Sequence, residues 1–412
     1  MRANMLPVEP SVFKNMIGMT KDDLIEADLA GFVFATPTGA ISSKKLLENI
    51  VFQHDQNLSF LAQQQLWLKH AQNRLQQKIQ QSGNSELILV GSLPFDHRDL
   101  PEMSIAEAKN TYVMDGLDLV EPLERLSQVQ ARLVPPQVDY VNGVAKLVAL
   151  MKTTELEKAV LARAIDLQST EKFSVVELFY RLFHNNPEGY TFALAQDPQK
   201  LGWFMGASPE LLVAKQNQYI FSNPVAGTLA RSADPVEDQA QAERLFASAK
   251  DQHEHAVVIE AIADQLSPLC QSLSIPKLPS LIKTQTVWHL ATQIKGTLKD
   301  PDMHVFDLAS ILHPTPAVCG QPAPLARQLI SELEPFKRNL FAGTMGWSDV
   351  RGNGAWAVNV RCGRIFEHSA RLYAGAGIVE ASQPTSELKE TIAKFKTMLN
   401  ALGLDADQLT YQ

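Results

Sequence analysis

The spacing of apolar residues along the first third of the chain predicts a helix, a strand and a break. Over residues 53–81, leucine and other apolar residues recur at helical intervals within a glutamine-rich stretch, which predicts a helix that covers a sheet. The apolar run at residues 86–93 is bounded by Gly and Pro and predicts a buried strand. The Pro-Pro break at residues 133–136 is the best candidate boundary.

After that break the pattern changes to strong strands between long helices. We predict helices over residues 140–157, 175–185, 236–266 and 386–402. ELLVAK and YIFS, separated by QNQ, predict a hairpin that leads into a loop over residues 223–228. Further strands are predicted in KAVLARAIDL, YTFALAQ, GWFMGA, TVWHLATQIKGTL, GTMGWSDV, GAWAVNVRCGRIF and ARLYAGAGIV. Because the order lacks regular βαβ alternation, it indicates an α+β architecture.

Composition is that of an ordinary globular protein. The 412 residues are 45% hydrophobic and 20% charged, which fits neither a disordered chain nor a coiled coil. The 37 Lys and Arg against 45 Asp and Glu give a net charge of −8, which argues against general affinity for nucleic acid or an anionic membrane surface. An anionic ligand therefore needs a locally basic pocket.

Cysteine usage and hydropathy indicate a reducing compartment. Cys270, Cys319 and Cys362 are too few and too scattered for a disulfide framework or a structural zinc site. The N-terminal MRANMLPVEPSVFK holds no apolar run of signal-peptide length, and no stretch approaches the roughly 18 apolar residues that span a bilayer. We therefore expect a soluble, cytoplasmic protein.

Two predicted helices carry carboxylates on one face. Asp251 and Glu254 share a face at i, i+3, and Glu387, Glu390 and Lys394 form one stripe of the last helix. Oxygen ligands without a soft partner suit a hard cation such as Mg²⁺. A solvated acidic face, or an ordinary i, i+4 surface ion pair, would also explain each pattern taken alone.

Other candidate residues lie on strands and loops. Lys158 begins KAVLAR beside small apolar side chains, where lost hydration favours the neutral amine of a general base, although a lysine at a strand end can also extend to solvent. Glu210 in GASPELLV is a candidate acid if half-buried. Arg361 interrupts an apolar strand and suits bidentate carboxylate recognition. The loops NPVAGT and HPTPAVCGQP offer backbone N–H groups to a carboxylate.

Taken together, residues 140–412 resemble the chorismate-utilising enzymes, the family of isochorismate, salicylate, anthranilate and aminodeoxychorismate synthases. The matching segments follow the family's order: KAVLAR, GASPELL, NPVAGT, KDQHEH, WHLATQIKGTL, LHPTPAVCG, FAGTMGW, NVRCGRIF, YAGAGIV and SELKETIAKFK. Residues 1–139 carry no motif that we can place, so we divide the chain into this N-terminal part of the fold and a catalytic region at 140–412.

The resemblance implies one large α+β domain, in which two stacked β-sheets wrapped by helices enclose a deep cleft that takes chorismate and Mg²⁺. It implies that Glu254 and Glu390 bind the metal, with Asp251 and Glu387 supporting them through water. Lys158 matches the base that activates water, and the acid facing it across the ring matches Glu210. The positions that match substrate contacts are Gly227, Thr228, His289, Ala317, Arg361, Gly375 and Lys394.

Three positions favour the conversion of chorismate into isochorismate within this family. Ala226 stands where aminodeoxychorismate synthases carry a nucleophilic lysine, and Ala317 stands where anthranilate and salicylate synthases typically carry threonine. Lys158 stands where the ammonia-using anthranilate synthases lack a lysine base. We expect water to attack C2 and the C4 hydroxyl to leave in a reversible, Mg²⁺-dependent exchange, used for catechol siderophore synthesis.

Alternatives to this interpretation remain open at the level of the sequence. They are a salicylate synthase that goes on to eliminate pyruvate, an isochorismate synthase of the menaquinone pathway, and a non-catalytic chorismate-binding protein. No glutamine-amidotransferase sequence is fused to the chain, so we expect no amidotransferase subunit. We also expect a monomer, with neither nucleic acid nor membrane as a partner.

Overall fold

The computed structural model describes residues 31–55, 57, 58, 60–112, 129–197 and 202–405. The segment MRANMLPVEPSVFK, where we found no signal-peptide pattern, lies outside these residues. The helices of the described part are α1 (Phe60–Ser82), α2 (Gln137–Met151), α3 (Val175–Asn185), α4 (Pro235–Ala247), α5 (Ala249–Leu266), α6 (Val305–Leu312), α7 (Ala323–Leu333) and α8 (Pro384–Ala401). In that part, no helix is long and apolar enough to cross a membrane.

The strands carry most of the framework. They are β1 (Phe32–Thr36), β2 (Gly39–Ile50), β3 (Leu87–Leu93), β4 (Glu102–Tyr112), β5 (Val129–Val134), β6 (Lys158–Ser169), β7 (Tyr190–Asp197), β8 (Gly202–Ser208), β9 (Leu211–Gln216), β10 (Tyr219–Asn223), β11 (Val225–Ala230), β12 (Cys270–Ser274), β13 (Ser280–Lys283), β14 (Val287–Ala291), β15 (Ile294–Leu298), β16 (Gly320–Gln321), β17 (Thr344–Ser348), β18 (Gly354–Val358), β19 (Cys362–Ile365) and β20 (Ser369–Ile378). Antiparallel hydrogen bonds join 17 of them into one network, and β11, β14 and β13 form a separate sheet.

Strand pairing joins the beginning of the chain to its end. β1 pairs with β7, β3 pairs with β17, and both β2 and β3 pair with β4. Within the later part, β20 pairs with β6 along its whole length, so that Gly375 lies opposite Ala162 and Gly377 opposite Val160. The glycine-rich YAGAGIV strand therefore runs directly beside the KAVLAR strand.

The helices cover these sheets and position the residues between them. Helix α8 packs on β20 and α2, and its Phe395, Met398 and Leu399 are buried in an apolar core. Each such side chain contributes roughly 1.5–3 kcal/mol when fully buried. Anchored in this way, α8 holds its acidic residues against the strands. The predicted α+β class is confirmed, as one domain with large antiparallel sheets.

Several local predictions were wrong. The helix predicted over residues 140–157 ends at Met151. Residues 236–266 form two helices, because Ser248 has extended backbone and its side chain accepts the Asp251 N–H at 3.3 Å, which begins α5. Residues 223–228 are not a loop: most belong to β11, which is bulged where Gly227 has a φ of +77°. Arg361 lies in the break between β18 and β19 with a φ of +51°, rather than within a strand.

Candidate active site

One cavity is lined by most of the residues that the sequence singled out. They come from β11, β14, β20, α5, α8 and the connections between other strands. The predicted residues on its wall are Glu210, Gly227, Thr228, Glu254, His289, Ala317, Arg361, Gly375 and Lys394. The remaining four, Lys158, Asp251, Glu387 and Glu390, connect to this wall through ion pairs.

Lys158 is the first residue of β6 and is completely buried. Its Nζ lies 3.1 Å from Glu254 Oε1, so the amine does not extend to solvent as a surface lysine would. Gly377 on β20 makes room for this pair, because a Cβ there would overlap Glu254 Oε1 and lie 3.0 Å from Lys158 Cε. The register of β20 against β6 thus places a glycine where the lysine and the carboxylate meet.

Glu210 follows β8, where its backbone N–H donates to Ser208 Oγ at 3.1 Å. The side chain is 4% exposed, and Oε1 has no hydrogen-bond partner in the described structure. Burial raises the pKa of this carboxyl to about 7, more than the charges of Lys158 and Arg361 lower it. Glu210 can therefore hold a proton at neutral pH, as the prediction of an acid required.

A buried chain of donors and acceptors forms the basic side of the cavity. Arg361 Nη2 lies 2.7 Å from His289 Nε2, and Thr228 Oγ1 lies 3.0 Å from His289 Nδ1. Burial and the Arg361 charge hold the pKa of His289 well below its usual range, so the imidazole is neutral. Because arginine can only donate, Nε2 accepts and the ring proton is on Nδ1.

Arg361 keeps its positive charge available for a ligand. Burial lowers the pKa of the guanidinium to about 10, which still leaves it protonated at neutral pH. Among the described residues, no carboxylate forms an ion pair with it, and its side chain donates to the neutral His289. A buried cation that forms no ion pair within the described part of the chain is well suited to bind an anionic group, the role that sequence analysis gave this residue.

The four predicted metal-site carboxylates converge between α5 and α8, and a lysine lies among them. Lys250 Nζ is 3.0 Å from Glu387 Oε1, 3.6 Å from Asp251 Oδ1 and 3.9 Å from Glu254 Oε2. Burial opposes the charge of Lys250, but the surrounding carboxylates raise its pKa overall. Burial and the Glu390 charge raise the pKa of Glu387 to about 7. The carboxylates thus give this cluster a negative electrostatic potential.

The donor set of this cluster fits a hard cation. Within the described ranges, no group of three or more His, Cys, Asp and Glu side chains is arranged to hold a metal ion. Carboxylates from two helices nonetheless reach one cationic nitrogen within 4 Å, which shows that their oxygens converge on a positive charge. Mg²⁺ binds carboxylate oxygens in preference to other protein ligands. The residues present therefore suit Mg²⁺.

Lys394 connects the acidic cluster to the cavity. Its Nζ donates to Glu390 Oε1 at 2.6 Å and to the Gly375 carbonyl at 2.8 Å. The i, i+4 pair with Glu390 exists, but both side chains are about nine-tenths buried rather than on the surface. The lysine amine is consequently fixed at the cavity wall beside the glycine-rich strand.

Sequence reasoning missed several residues of this site. Lys250 and Gly377 lie within motifs that we quoted, and Lys250 carried a signal, since a cation in the first turn of a helix opposes the helix dipole. A buried pair, Glu334 and Arg338, was also missed. Arg338 donates to the Val160 carbonyl at 2.7 Å and to the Val318 carbonyl at 2.8 Å, joining β6 to the cavity wall.

Comparisons with known proteins agree with this geometry. The family model described as "Chorismate binding enzyme" matches residues 117–403. The chain is 42% identical over 399 residues to isochorismate synthase DhbC of Bacillus subtilis, covering 95% of this chain and 99% of the relative. It is 41% identical over 342 residues to the vibriobactin-specific isochorismate synthase of Vibrio cholerae, covering 82% and 85% of the two chains.

A solved structure is similar along nearly the whole chain. The crystal structure from Bacillus anthracis assigned as a 2,3-dihydroxybenzoate-specific isochorismate synthase, DhbC, superposes with a TM-score of 0.84 at 40% identity. It covers 93% of this chain and 100% of the other. On the family match and on these relatives, the chain belongs to the chorismate-binding enzyme family.

Proposed function

We propose that the chain is an isochorismate synthase, which converts chorismate reversibly into isochorismate by exchanging a ring hydroxyl. The observation that carries the proposal is Glu210: a buried carboxyl on the cavity wall, with a pKa of about 7, is poised to donate a proton. The relatives named isochorismate synthase support the same activity. Their vibriobactin and 2,3-dihydroxybenzoate specificities favour catechol siderophore synthesis over menaquinone synthesis.

The basic side of the cavity would hold the enolpyruvyl carboxylate of the substrate, whereas the ring carboxylate would lie at the Mg²⁺ site. Arg361 offers a guanidinium that is in no ion pair with a described carboxylate, and Gly227 and Thr228 offer backbone at a bulged strand. A positive φ at Gly227 opens the backbone at this point, and a Cβ there would lie 3.1 Å from Asp251 Cβ. Holding one carboxylate here and the other at the metal site would orient the ring, and this positioning supplies much of the catalysis.

Proton transfer is assigned to the buried side chains of Lys158 and Glu210. Lys158 is the base that removes a proton from the water attacking C2 of the ring. The double bonds shift, and Glu210 donates its proton to the C4 hydroxyl, which leaves as water. After the forward reaction Lys158 has gained a proton and Glu210 has lost one. The two residues can therefore exchange the roles of acid and base in the reverse reaction.

We assign Mg²⁺ to the acidic cluster. Glu254 and Glu390 would bind the ion directly, and Asp251 and Glu387 would support it through water. Bound there, Mg²⁺ supplies positive charge that offsets the negative charge on the substrate carboxylate.

The alternative within the family is a salicylate synthase. That enzyme would eliminate pyruvate from isochorismate in the same cavity, and Ala317 on the wall is the residue that disfavours it. We further propose a monomeric, cytoplasmic enzyme that needs no amidotransferase subunit.

Product analysis tests the proposal. The protein is incubated with chorismate, with Mg²⁺ or with EDTA, and the products are separated by chromatography while pyruvate is assayed. We expect a Mg²⁺-dependent mixture of chorismate and isochorismate without pyruvate. Pyruvate and salicylate in equal amounts would instead identify the salicylate synthase, and unchanged chorismate would contradict both activities. Size-exclusion chromatography with light scattering tests the monomer.

A further inference from the structure

We propose that Lys250 is an internal counter-ion of the acidic cluster: its ammonium neutralises the carboxylates when the metal is absent and competes with Mg²⁺ for them. The inference rests on the proposed Mg²⁺ site and extends it to a residue outside the predicted ligand set. It gives the protein a stable metal-free state at the expense of metal affinity.

The contacts of Lys250 are the first observation behind this proposal. Its Nζ lies within 4 Å of carboxylate oxygens from three residues, Asp251 and Glu254 on its own helix and Glu387 on α8. The shortest contact, 3.0 Å, crosses from α5 to α8, so the lysine joins the two helices that supply the proposed ligands. A cation bound by these oxygens would have to share them with the ammonium or displace it.

The position of Lys250 in its helix carries the second step. It is the second residue of α5, where backbone N–H groups make the helix end positive and disfavour a lysine. Its side chain is nevertheless only 22% exposed and extends towards the carboxylates rather than into solvent. Attraction by the acidic cluster therefore outweighs both the helix dipole and the lost hydration.

The need for such a cation follows from the burial of the cluster. Glu254 is 6% exposed and Glu387 is 2% exposed, and like charges this close repel strongly away from water. Lys158 and Lys394 each pair with one carboxylate on the cavity side. Lys250 contacts carboxylates of both helices, so its removal should leave α5 and α8 repelling each other until a metal binds.

The test compares Lys250→Met with wild type in two measurements that do not need substrate. Mg²⁺ affinity is measured by isothermal titration calorimetry at about pH 8, and the melting temperature is measured in EDTA and in excess Mg²⁺. We expect the variant to bind Mg²⁺ roughly tenfold or more tightly, because one positive charge has left the site. We also expect it to melt lower than wild type in EDTA and to recover when Mg²⁺ is added.

The matched control is Lys389→Met, which removes an exposed lysine from α8 beside Glu390. It should leave both measurements near wild type, which separates the effect of this one ammonium from a change in net charge. Equal Mg²⁺ affinity in Lys250→Met and wild type, or weaker affinity in the variant, would overturn the proposal.

A second variant covers the case in which Lys250→Met does not fold without metal. Lys250→Met combined with Glu387→Gln removes one positive and one negative charge, and it should regain stability in EDTA. No recovery in this double variant would show that Lys250 acts by packing rather than as a counter-ion.

Absence of Mg²⁺ binding by any of these proteins would overturn the inference together with the metal site. Tighter binding by the variant without chorismate turnover in wild type would uphold it and reject the proposed function.

Discussion

Lys158 and Glu254 form a buried pair whose members have separate tasks in the proposed reaction. The amine is the proposed base, whereas the carboxylate belongs to the proposed metal site and also has the ammonium of Lys250 at 3.9 Å. Replacing the lysine therefore does not leave Glu254 without any positive neighbour. The two tasks can be separated by measuring turnover and binding independently.

We expect Lys158→Met to lower turnover of chorismate by roughly 10²–10⁴-fold, the usual contribution of a positioned base. Chorismate affinity, measured by equilibrium binding, should change little because Arg361 and the β11 backbone are unaltered. Lys215→Met is the control: Lys215 is also buried, but it lies on β9 away from the cavity wall. Turnover near wild type in Lys158→Met would show that another group is the base.

Glu210 makes both activity and stability fall as pH rises. Its pKa is raised from 4.5 to about 7 in the folded protein, so between these values the folded state binds more protons than the unfolded state. Stability from this group is complete below about pH 4.5 and is lost as pH rises towards 7. The proposed acid step also needs the proton, so activity should fall as pH rises above about 7.

Glu210→Gln should therefore lose activity and gain stability. At about pH 8 the neutral amide avoids a buried charge, and the gain should reach about 3 kcal/mol in urea unfolding. Below about pH 4.5 the gain should vanish, since both side chains are then neutral. The same measurements on Glu188→Gln, whose exposed carboxylate lies outside the cavity wall, provide the control. A stability gain that does not depend on pH would contradict the assigned pKa.

At this scale, sequence predicted much of the site but not how its members are connected. Lys158, Glu210 and Arg361 could be predicted because a charged residue type next to an apolar strand indicates a buried functional group. The contact between Lys250 and Glu387 could not be predicted from the sequence, because it joins helices that are far apart along the chain. The neutral state of His289 likewise depends on Arg361 approaching its ring in the folded protein.

At the scale of the elements, the buried Glu334–Arg338 pair holds β6, the strand that carries Lys158, in place. Arg338 donates to the Val160 carbonyl of β6, and Glu334 accepts the Ala162 N–H of the same strand at 2.8 Å. Arg338 also lies over the Phe95 ring at 4.3 Å, which connects the strand to the N-terminal part of the chain. The pair is almost fully buried, so its partners depend on one another.

Arg338→Met should destabilise the protein by about 3–5 kcal/mol, since it leaves the Glu334 carboxylate buried and uncompensated. Replacing both residues, Arg338→Met with Glu334→Leu, should recover part of that loss. Urea unfolding measures both variants. Arg351→Met, which removes an exposed ion pair with Asp349, should change stability little. Equal losses in the two Arg variants would show that the buried pair has no special role.

The elements show which sequence signals can be trusted. The strands KAVLARAIDL and ARLYAGAGIV and the helix α3 were predicted close to their true bounds, because apolar periodicity and local turns determine them. The division of residues 236–266 at Ser248 was missed, since the apolar pattern continues across a capping residue. β11 was taken for a loop because Pro224 before it and Gly227 within it usually mark turns, whereas pairing with β14 keeps it extended.

At the scale of the whole molecule, the α+β class could be predicted but the strand order could not. Alternation of long strands and helices limits the architecture, yet which strands become neighbours depends on contacts between distant segments. β3 next to β17, and β1 next to β7, have no local signal. The division at residue 140 stays a prediction about sequence, and strands on both sides of it share the same hydrogen-bonded network.

The pairing of β3 with β17 has a consequence for how the chain is made in the cell. β3 is apolar and fully buried in the finished protein, and Ser92 Oγ bonds to the Thr344 carbonyl, 252 residues later. A ribosome adding about 5–20 residues per second needs about 10–50 s to supply that partner. During this interval β4 can cover one edge of β3 while the other stays open to aggregation. The edge of β3 that pairs with β17 therefore has no native partner until the C-terminal half of the chain emerges, and we expect the nascent chain to be most prone to aggregation in that interval.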